Sequence, residues 1–255
     1  MLTATVRSFV VVIVSALCTV VPRSASAQAA DTDNIANEYR VTLVATKPAA
    51  ERQKVIYFAY LGVVDSPDKQ VSSLYYSPPG LIIKPKPWAE IWVGVFGIYN
   101  SNKTTDNSWE LRPLTGLKLY APNRAHMNLY NFTRFEYRSV HQSGSTTSTP
   151  RLRNRTGVEV PFTQEKAWAP KTWYGLSDVE YFYRLDDEYL ERYRIRGGVG
   201  YVLSKTWRAE FIYHAEFTGG NGVQKAYTNN IWRLNIKLSL PRRGERVSIV
   251  PDFDE

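Results

Sequence analysis

The sequence predicts an all-β protein, a closed antiparallel transmembrane β-barrel of about twelve strands, with ten as the alternative count. Three observations lead to this prediction. Short segments throughout the chain alternate polar and apolar residues with a period of two, which is typical of strands with one buried face. No apolar run long enough for a spanning helix follows Ala27. Aromatic residues make up 13% of the chain, and they favour strands and the interfacial belts of membrane barrels.

The N-terminal segment has the features of a secretory signal peptide. Arg7 provides the positive charge, Phe9–Val21 is mostly apolar, and Ala25 and Ala27 match the small-residue pattern that precedes a cleavage site. The apolar stretch is shorter than the ~20 residues that a spanning helix needs, which disfavours a retained anchor. We therefore predict cleavage near Ala27 and export to the outer membrane of a Gram-negative bacterium.

Three segments are predicted along the chain: a signal peptide over residues 1–27, a barrel over 28–240 and a charged tail over 241–255. The one cysteine, Cys18, lies in the predicted signal peptide. The mature chain would therefore have no disulfide, and its stability would come from packing and backbone pairing.

Eleven segments show the two-residue period. Because single-chain bacterial barrels have even strand counts, we expect one segment to be split or missed. Between segments, the polar stretch Gln142–Pro150 indicates a long outer loop, and Leu203–Thr206 indicates a tight turn of the periplasmic type. The segments are Glu38–Thr46, Lys54–Val63, Val71–Lys84, Trp88–Tyr99, Trp109–Tyr120, Ala125–Val140, Arg151–Val160, Trp173–Arg184, Tyr189–Leu203, Thr206–Phe217 and Asn229–Leu240.

The residues that share a strand face carry the main argument. In the segment Ala125–Val140, Arg134, Glu136 and Arg138 share one face, because residues two apart point the same way, and the other face is largely apolar. A soluble barrel turns such a charged face to water, whereas a membrane barrel turns it inward. The scarcity of lysine on these faces and the export signal favour the membrane barrel. Tryptophans near the ends of the apolar faces also favour it: Trp88, Trp109, Trp173, Trp207 and Trp232.

The charged faces predict a network of arginines and glutamates in the lumen of the barrel, with outer-membrane lipid around it. A structural network that fills a narrow barrel is the favoured interpretation, because paired charges satisfy one another. An anion-preferring pore for small acidic solutes is the alternative, since arginine rings select anions. The predicted lumen residues are Glu90, Glu110, Arg112, Arg134, Glu136, Arg138, Arg151, Arg153, Arg155, Glu159, Glu180, Arg192, Arg194, Arg196, Arg208 and Glu210.

A series of short motifs follows in order between about Tyr76 and Leu240. They are Ser77-Pro78-Pro79-Gly80-Leu81, Trp88 with Glu90-Ile91-Trp92-Val93-Gly94, Glu110-Leu111-Arg112, Arg134-Phe135-Glu136-Tyr137-Arg138, Arg151-Leu152-Arg153, Asp178-Val179-Glu180-Tyr181-Phe182 and Arg194 with Arg196-Gly197-Gly198-Val199-Gly200-Tyr201. In this order the chain resembles a family of bacterial barrel proteins known as domain of unknown function "twenty-four-ninety". The resemblance implies an outer-membrane barrel without an assigned activity. The tail departs from the usual aromatic ending of such barrels, because Phe253 is third from the end.

Other chemistry receives little support from the residues. No serine lies at a spacing from His126, His141 or His214 that would suggest a catalytic triad. No pair of closely spaced histidines suggests a metal site. We expect no catalysis and no cofactor. The basic run Arg151–Arg155 has the spacing of a strand face, which disfavours nucleic acid as a partner. A soluble periplasmic ligand binder and a lipid-modifying barrel enzyme remain the alternatives from other functional classes.

Overall fold

The computed structural model describes residues 35–49, 54–121, 127–164, 168–219 and 226–240. The predicted signal peptide over 1–27 and the predicted charged tail over 241–255 lie outside these residues. No helix in the described part of the chain has both the length and the apolar character of a membrane span.

Each of the eleven alternating segments corresponds to one strand. The alternation arises because one face of every strand is buried and the other is exposed. A short 3-10 turn, Pro67–Lys69, connects the second and third strands. The strands are β1 (Ala36–Pro48), β2 (Val55–Ser66), β3 (Val71–Lys86), β4 (Ala89–Asn102), β5 (Ser108–Tyr120), β6 (Asn128–Gln142), β7 (Ser145–Pro161), β8 (Trp173–Arg184), β9 (Tyr189–Val202), β10 (Trp207–Thr218) and β11 (Ala226–Ser239).

The strands form one closed barrel in which each strand pairs with its neighbours in sequence. The predicted closed all-β barrel is thus confirmed, and the described residues form eleven strands, close to the predicted count of about twelve. All sequential pairs are antiparallel, whereas β1 closes the barrel on β11 in parallel, from Ala36 opposite Asn229 to Thr46 opposite Ser239. The first and last strands of an odd-numbered meander run in the same direction, so closure requires this parallel seam.

The connections lie alternately at the two ends of the barrel. We call the end with the β1–β2, β3–β4, β5–β6, β7–β8 and β9–β10 connections the Trp88 end, and the opposite end the Gly144 end. The turn Leu203–Thr206 is confirmed: it joins β9 to β10, and Ser204 Oγ accepts backbone N–H bonds from Thr206 and Trp207 at 3.2 and 3.1 Å.

The long outer loop predicted over Gln142–Pro150 is wrong. β6 and β7 continue until Gln142 pairs with Ser145, leaving a two-residue turn. Ser143 and Gly144 have φ angles of 52° and 76°. Positive φ at both central residues is the hairpin geometry that matches the twist of strands, and glycine adopts it without strain. This stretch is rich in serine and threonine, as loops are, because both faces of the hairpin tip are exposed to its surroundings.

The interior contains an apolar part that the charged-face argument did not predict. Trp92 lies at its centre, with ring centroids 5.4 Å from Phe58 and 5.5 Å from Phe132. We call this apolar part of the interior the aromatic cluster, and it lies beside β1–β6. Its members are Val44, Ile56, Phe58, Tyr60, Ile82, Trp92, Phe96, Leu114, Tyr120, Tyr130 and Phe132.

Candidate functional site

The predicted lumen residues all lie on strands β4–β10, at positions whose side chains face the interior. All of them are buried except Arg138 and Arg192, which are 23% and 22% exposed in their side chains. We call these residues and their buried charged partners the charged network. Its members lie on β1 and β4–β11, and it meets the aromatic cluster where Arg134 contacts Phe132 and Glu90 contacts Trp92.

Glu136 on β6 is the centre of one part of the charged network. Arg134 Nε lies 2.7 Å from Glu136 Oε1, Arg151 Nη2 lies 2.6 Å from Oε2, and Arg153 Nη1 lies 2.8 Å from Oε1. The strand register produces this contact, because Glu136 pairs with Arg151, and Arg134 pairs with Arg153 on β7. Glu136 is 1% exposed, so these cations supply the interactions that water would otherwise provide.

Arg153 extends the network from β6 to β8. Its Nη2 and Nε atoms donate to Glu180 Oε1 at 2.7 and 3.1 Å, while its Nη1 atom donates to Glu136. Arg155 Nε lies 3.7 Å from the same Glu180 oxygen. One planar guanidinium therefore bridges two carboxylates, as its fork of donors allows.

Phe182 on β8 contacts four arginines. The guanidinium carbons of Arg151, Arg153, Arg192 and Arg194 lie 5.1, 4.3, 5.3 and 4.9 Å from its ring centroid. Cations are attracted to the face of an aromatic ring. A buried aromatic side chain thus adds a favourable contact to four arginines whose ionic partners are Glu136, Glu180, Glu191 and Glu216.

Further pairs connect β8 to β11. Arg196 donates to both oxygens of Asp178 at 2.6 and 2.7 Å, which is a bidentate pair. Glu216 accepts from Arg194 at 2.5 Å and from Asn229 at 2.5 Å.

Glu210 receives donors from three strands. Lys237 Nζ donates to it at 2.8 Å and the Tyr174 hydroxyl at 2.5 Å, and Arg208 Nε lies 3.4 Å away. Lys237 belongs to β11, so this carboxylate connects the network to the strand that forms the parallel seam.

Several members of the charged network were missing from the predicted set. Their signal is the same face spacing, since Glu216 lies six residues after Glu210, and Lys237 four residues after Arg233. Arg40 is different, because it comes from β1, whose segment carries few charges. The additional buried charged residues are Arg40, Lys118, Asp178, Glu216, Arg233 and Lys237.

The remaining predicted acids, Glu90, Glu110 and Glu159, each have fewer ionic partners than Glu136 has among the described residues. Glu110 binds Arg112 at 2.8 Å and both Nε and Nη2 of Arg138, at 2.7 and 2.9 Å. Glu90 pairs with Lys84 at 3.2 Å and accepts from the Trp92 indole at 3.2 Å. Glu159 accepts from Asn128 and from the Trp168 indole at 3.0 and 3.2 Å.

A cavity of about 200 Å³ lies in the interior at the Gly144 end. Its lining comes from Lys69 in the turn before β3 and from every strand except β2. Seven bases and three carboxylates are among the lining residues, so positive charge is in excess there.

A model of the family described as "Protein of unknown function (DUF2490)" matches residues 67–226. The chain belongs to this family. The predicted resemblance is therefore confirmed. No curated protein matches the chain, and no solved structure matches it.

The DUF2490 match covers most but not all of the barrel. It begins at the turn before β3 and ends at the first residue of β11. The ion pairs around Glu136, Glu180 and Asp178 lie inside the matched region. The parallel seam between β1 and β11, and the contact of Lys237 with Glu210, involve residues outside it.

The histidines of this DUF2490 member lie in different surroundings. His141 Nδ1 hydrogen-bonds to the Thr146 hydroxyl at 3.0 Å, and its ring packs 5.3 Å from Trp109. His214 is 1% exposed, and among the described residues neither ring nitrogen has a hydrogen-bond partner. His126 lies outside the described residues. Within the described ranges, no group of His, Cys, Asp and Glu side chains has an arrangement suited to a metal ion.

Proposed function

We propose that this DUF2490 member is an outer-membrane protein whose barrel spans the lipid bilayer and whose ion-paired interior has a structural role. The polarity of the two faces carries the proposal. Val41, Leu61 and Val63 are 54%, 50% and 55% exposed on the outer face, whereas the arginines and glutamates face inward. A membrane barrel has this polarity, with apolar side chains against lipid and polar ones inside.

Exposed aromatic side chains near both ends of the outer face support the proposal. Trp88, Trp173 and Trp207 lie at the Trp88 end, and Tyr99 and Trp109 lie toward the Gly144 end. Membrane barrels carry aromatic girdles where the apolar band meets the headgroups. The fifth predicted tryptophan, Trp232, is exposed on the outer face but lies in the middle of β11, so its predicted place near a strand end is wrong.

The strand lengths fit a bilayer. The shortest strands, β2, β8 and β10, contain 12 residues each. A tilted strand needs about 9–11 residues to cross the hydrocarbon core. Every strand therefore has enough residues to span the core.

A soluble periplasmic ligand binder would need a polar outer face. Here large apolar side chains are exposed on β1–β6 and on β8–β11. Contiguous apolar surface of this kind marks contact with a membrane or a partner rather than with water. This observation favours the membrane barrel over the soluble alternative.

One polar group on the outer face is compatible with lipid because its members are paired. On β6 and β7, Asn131 donates to Asn154 at 3.1 Å and to Thr156 at 2.8 Å, and Asn154 donates to Thr133 at 2.7 Å. Polar groups that hydrogen-bond to one another lose little free energy when they leave water.

Cell fractionation tests the location. The full chain, expressed in a Gram-negative host, is expected in the outer-membrane fraction and to resist extraction by alkaline carbonate. Without boiling it should migrate as a compact form on gels, and boiling should shift it. Recovery in the soluble periplasmic fraction without detergent would contradict the proposal.

A narrow, anion-preferring pore is the second candidate function. Among the described residues, the buried charged side chains include twelve bases and eight carboxylates. Fixed cations in a confined interior favour anions. The aromatic cluster limits conduction, because Trp92, Phe58 and Phe132 occupy the interior beside β2–β6.

Planar bilayer recording distinguishes these roles. A purely structural interior gives no conductance, and a narrow pore gives a small anion-preferring conductance that rises in Trp92→Ala. The matched control is Trp88→Ala, because Trp88 lies on the outer face and is 51% exposed. A large cation-selective conductance would contradict both roles.

A further inference from the structure

The residues that line the cavity at the Gly144 end carry an excess of positive charge, although Glu136 and Glu191, which do not line it, pair with Arg151 and Arg192. Among its lining residues the bases exceed the carboxylates by four, seven against three. A buried or partly buried charge without a counter-charge costs several kcal/mol. The excess therefore favours an anion that enters from outside the chain.

The lining carboxylates are already engaged. Glu110 is bound by Arg112 and by both donors of Arg138. Glu216 accepts from Arg194, and Glu38 is paired with Arg40. The negative charge present in the cavity is thus shared among arginines that have more donors than these acids can accept.

Two lining arginines have donors left over. Arg151 is only 2% exposed, and its Nε atom has no hydrogen-bond partner among the described residues, although its terminal nitrogens lie near Glu136 and Glu191. The Nε atom of Arg192 is also unpartnered within the described ranges. A buried N–H without an acceptor costs about 1–3 kcal/mol, so an acceptor in the cavity would be stabilising.

Access and size define the ligand. The side chains of Arg138 and Arg192 are 23% and 22% exposed, so solutes can reach the cavity from the Gly144 end. Its volume of about 200 Å³ is below the ~300 Å³ of pockets for drug-sized molecules, which suits a small ion or a head group. Arginine forks match the oxygens of phosphate bidentately, and a dianion offsets more of the excess charge than a monoanion does.

We propose that this cavity is a binding site for a phosphate group, with Arg112, Arg138, Arg151 and Arg192 as its main donors. The phosphate is either a free ion or the head group of a phosphomonoester lipid. The site is formed by the barrel interior, so the proposal does not depend on whether lipid or water surrounds the barrel.

Calorimetric titration of the purified full-length protein tests the site. One titrant is sodium phosphate, and the other is detergent micelles containing phosphatidic acid, with phosphatidylcholine micelles as the blank. Saturable binding of sodium phosphate identifies the free ion as a ligand. Binding of the phosphatidic acid micelles alone identifies a lipid head group.

Variants connect the binding to the arginines. Arg138→Gln with Arg192→Gln removes two partly exposed donors and is expected to weaken binding roughly tenfold to a hundredfold. Arg184→Gln is the matched control, because Arg184 pairs with Asp186 in the β8–β9 turn and does not line the cavity. Arg138→Gln alone leaves Arg112 on Glu110, so it provides a second variant if the double variant fails to fold.

Two results would overturn the proposal: no binding of either titrant, or equal affinity in the wild type and in a folded Arg138 variant. Phosphate binding by a protein recovered without detergent would support the site while it contradicted the membrane location.

Discussion

Arg153 Nη1 donates to Glu136 Oε1 at 2.8 Å, and each of the two residues is 1% exposed. Two more arginines contact the same carboxylate, so Glu136 is the shared counter-charge of three cations from β6 and β7. A carboxylate in this position stabilises the barrel mainly by preventing repulsion among the arginines around it.

Glu136→Gln is therefore expected to destabilise the barrel by about 3–5 kcal/mol, because the arginines lose their shared counter-charge. Urea unfolding followed by tryptophan fluorescence and by gel mobility measures the change. Glu188→Gln is the control, since Glu188 is exposed in the β8–β9 turn. Equal stability of the two variants would show that the arginines are balanced by other means.

Two adjacent glycines on β9 provide a second prediction. A Cβ on Gly198 would lie 2.3 Å from the backbone oxygen of Phe211 and 2.9 Å from Cα of Ile212, whereas a Cβ on Gly197 meets nothing within 4 Å. Gly198→Ala must therefore push β9 away from β10, at a cost of about 1–3 kcal/mol.

Gly197→Ala is the matched control and should leave stability within about 0.5 kcal/mol of the wild type. The temperature at which the compact gel form disappears measures both variants. If that temperature were the same for Gly197→Ala and Gly198→Ala, Gly198 would not be closely packed against β10.

The positions of the strands could be predicted because their two faces differ. In β7 and β10 most residues on the inward face are charged or polar, so both the strand and its inward face are apparent from spacing alone. The ion pairs themselves could not be predicted. The contact of Arg153 with both Glu136 and Glu180 depends on the register of β6, β7 and β8, which the spacing within one segment does not determine.

The aromatic cluster was missed for a different reason. Around Trp92 both faces of β4 are apolar, with Ile91 and Val93 exposed and Trp92 and Phe96 buried. When both faces of a strand are apolar, the sequence does not indicate which face is inside the barrel. The parallel seam was missed because the alternation in β1 or β11 is the same whichever way its neighbour runs.

A charge placed on the outer face tests the lipid contact. Leu61 is 50% exposed in the middle of β2, opposite Leu43. Leu61→Arg is expected to destabilise the reconstituted protein by about 2–4 kcal/mol, the cost of arginine near the bilayer midplane.

Leu203→Arg is the control, because Leu203 is 52% exposed in the turn at the Trp88 end. There the expected cost is about 0–1 kcal/mol, as for an interfacial position. Denaturant titration in lipid vesicles measures both. If neither arginine changed the free energy of unfolding, the outer face would be in contact with water.

Spin-label accessibility tests the central claim most directly, since it reports what surrounds one side chain. Val63 is 55% exposed on β2, and Ser145 is exposed at the tip of the β6–β7 hairpin. Nitroxide labels on Val63→Cys and Ser145→Cys, in protein reconstituted into vesicles, would be exposed to oxygen and to a water-soluble nickel chelate. A membrane-spanning barrel predicts that position 63 collides with oxygen and is shielded from nickel, while position 145 is accessible to nickel. Equal access of the nickel chelate to both labels would contradict the account.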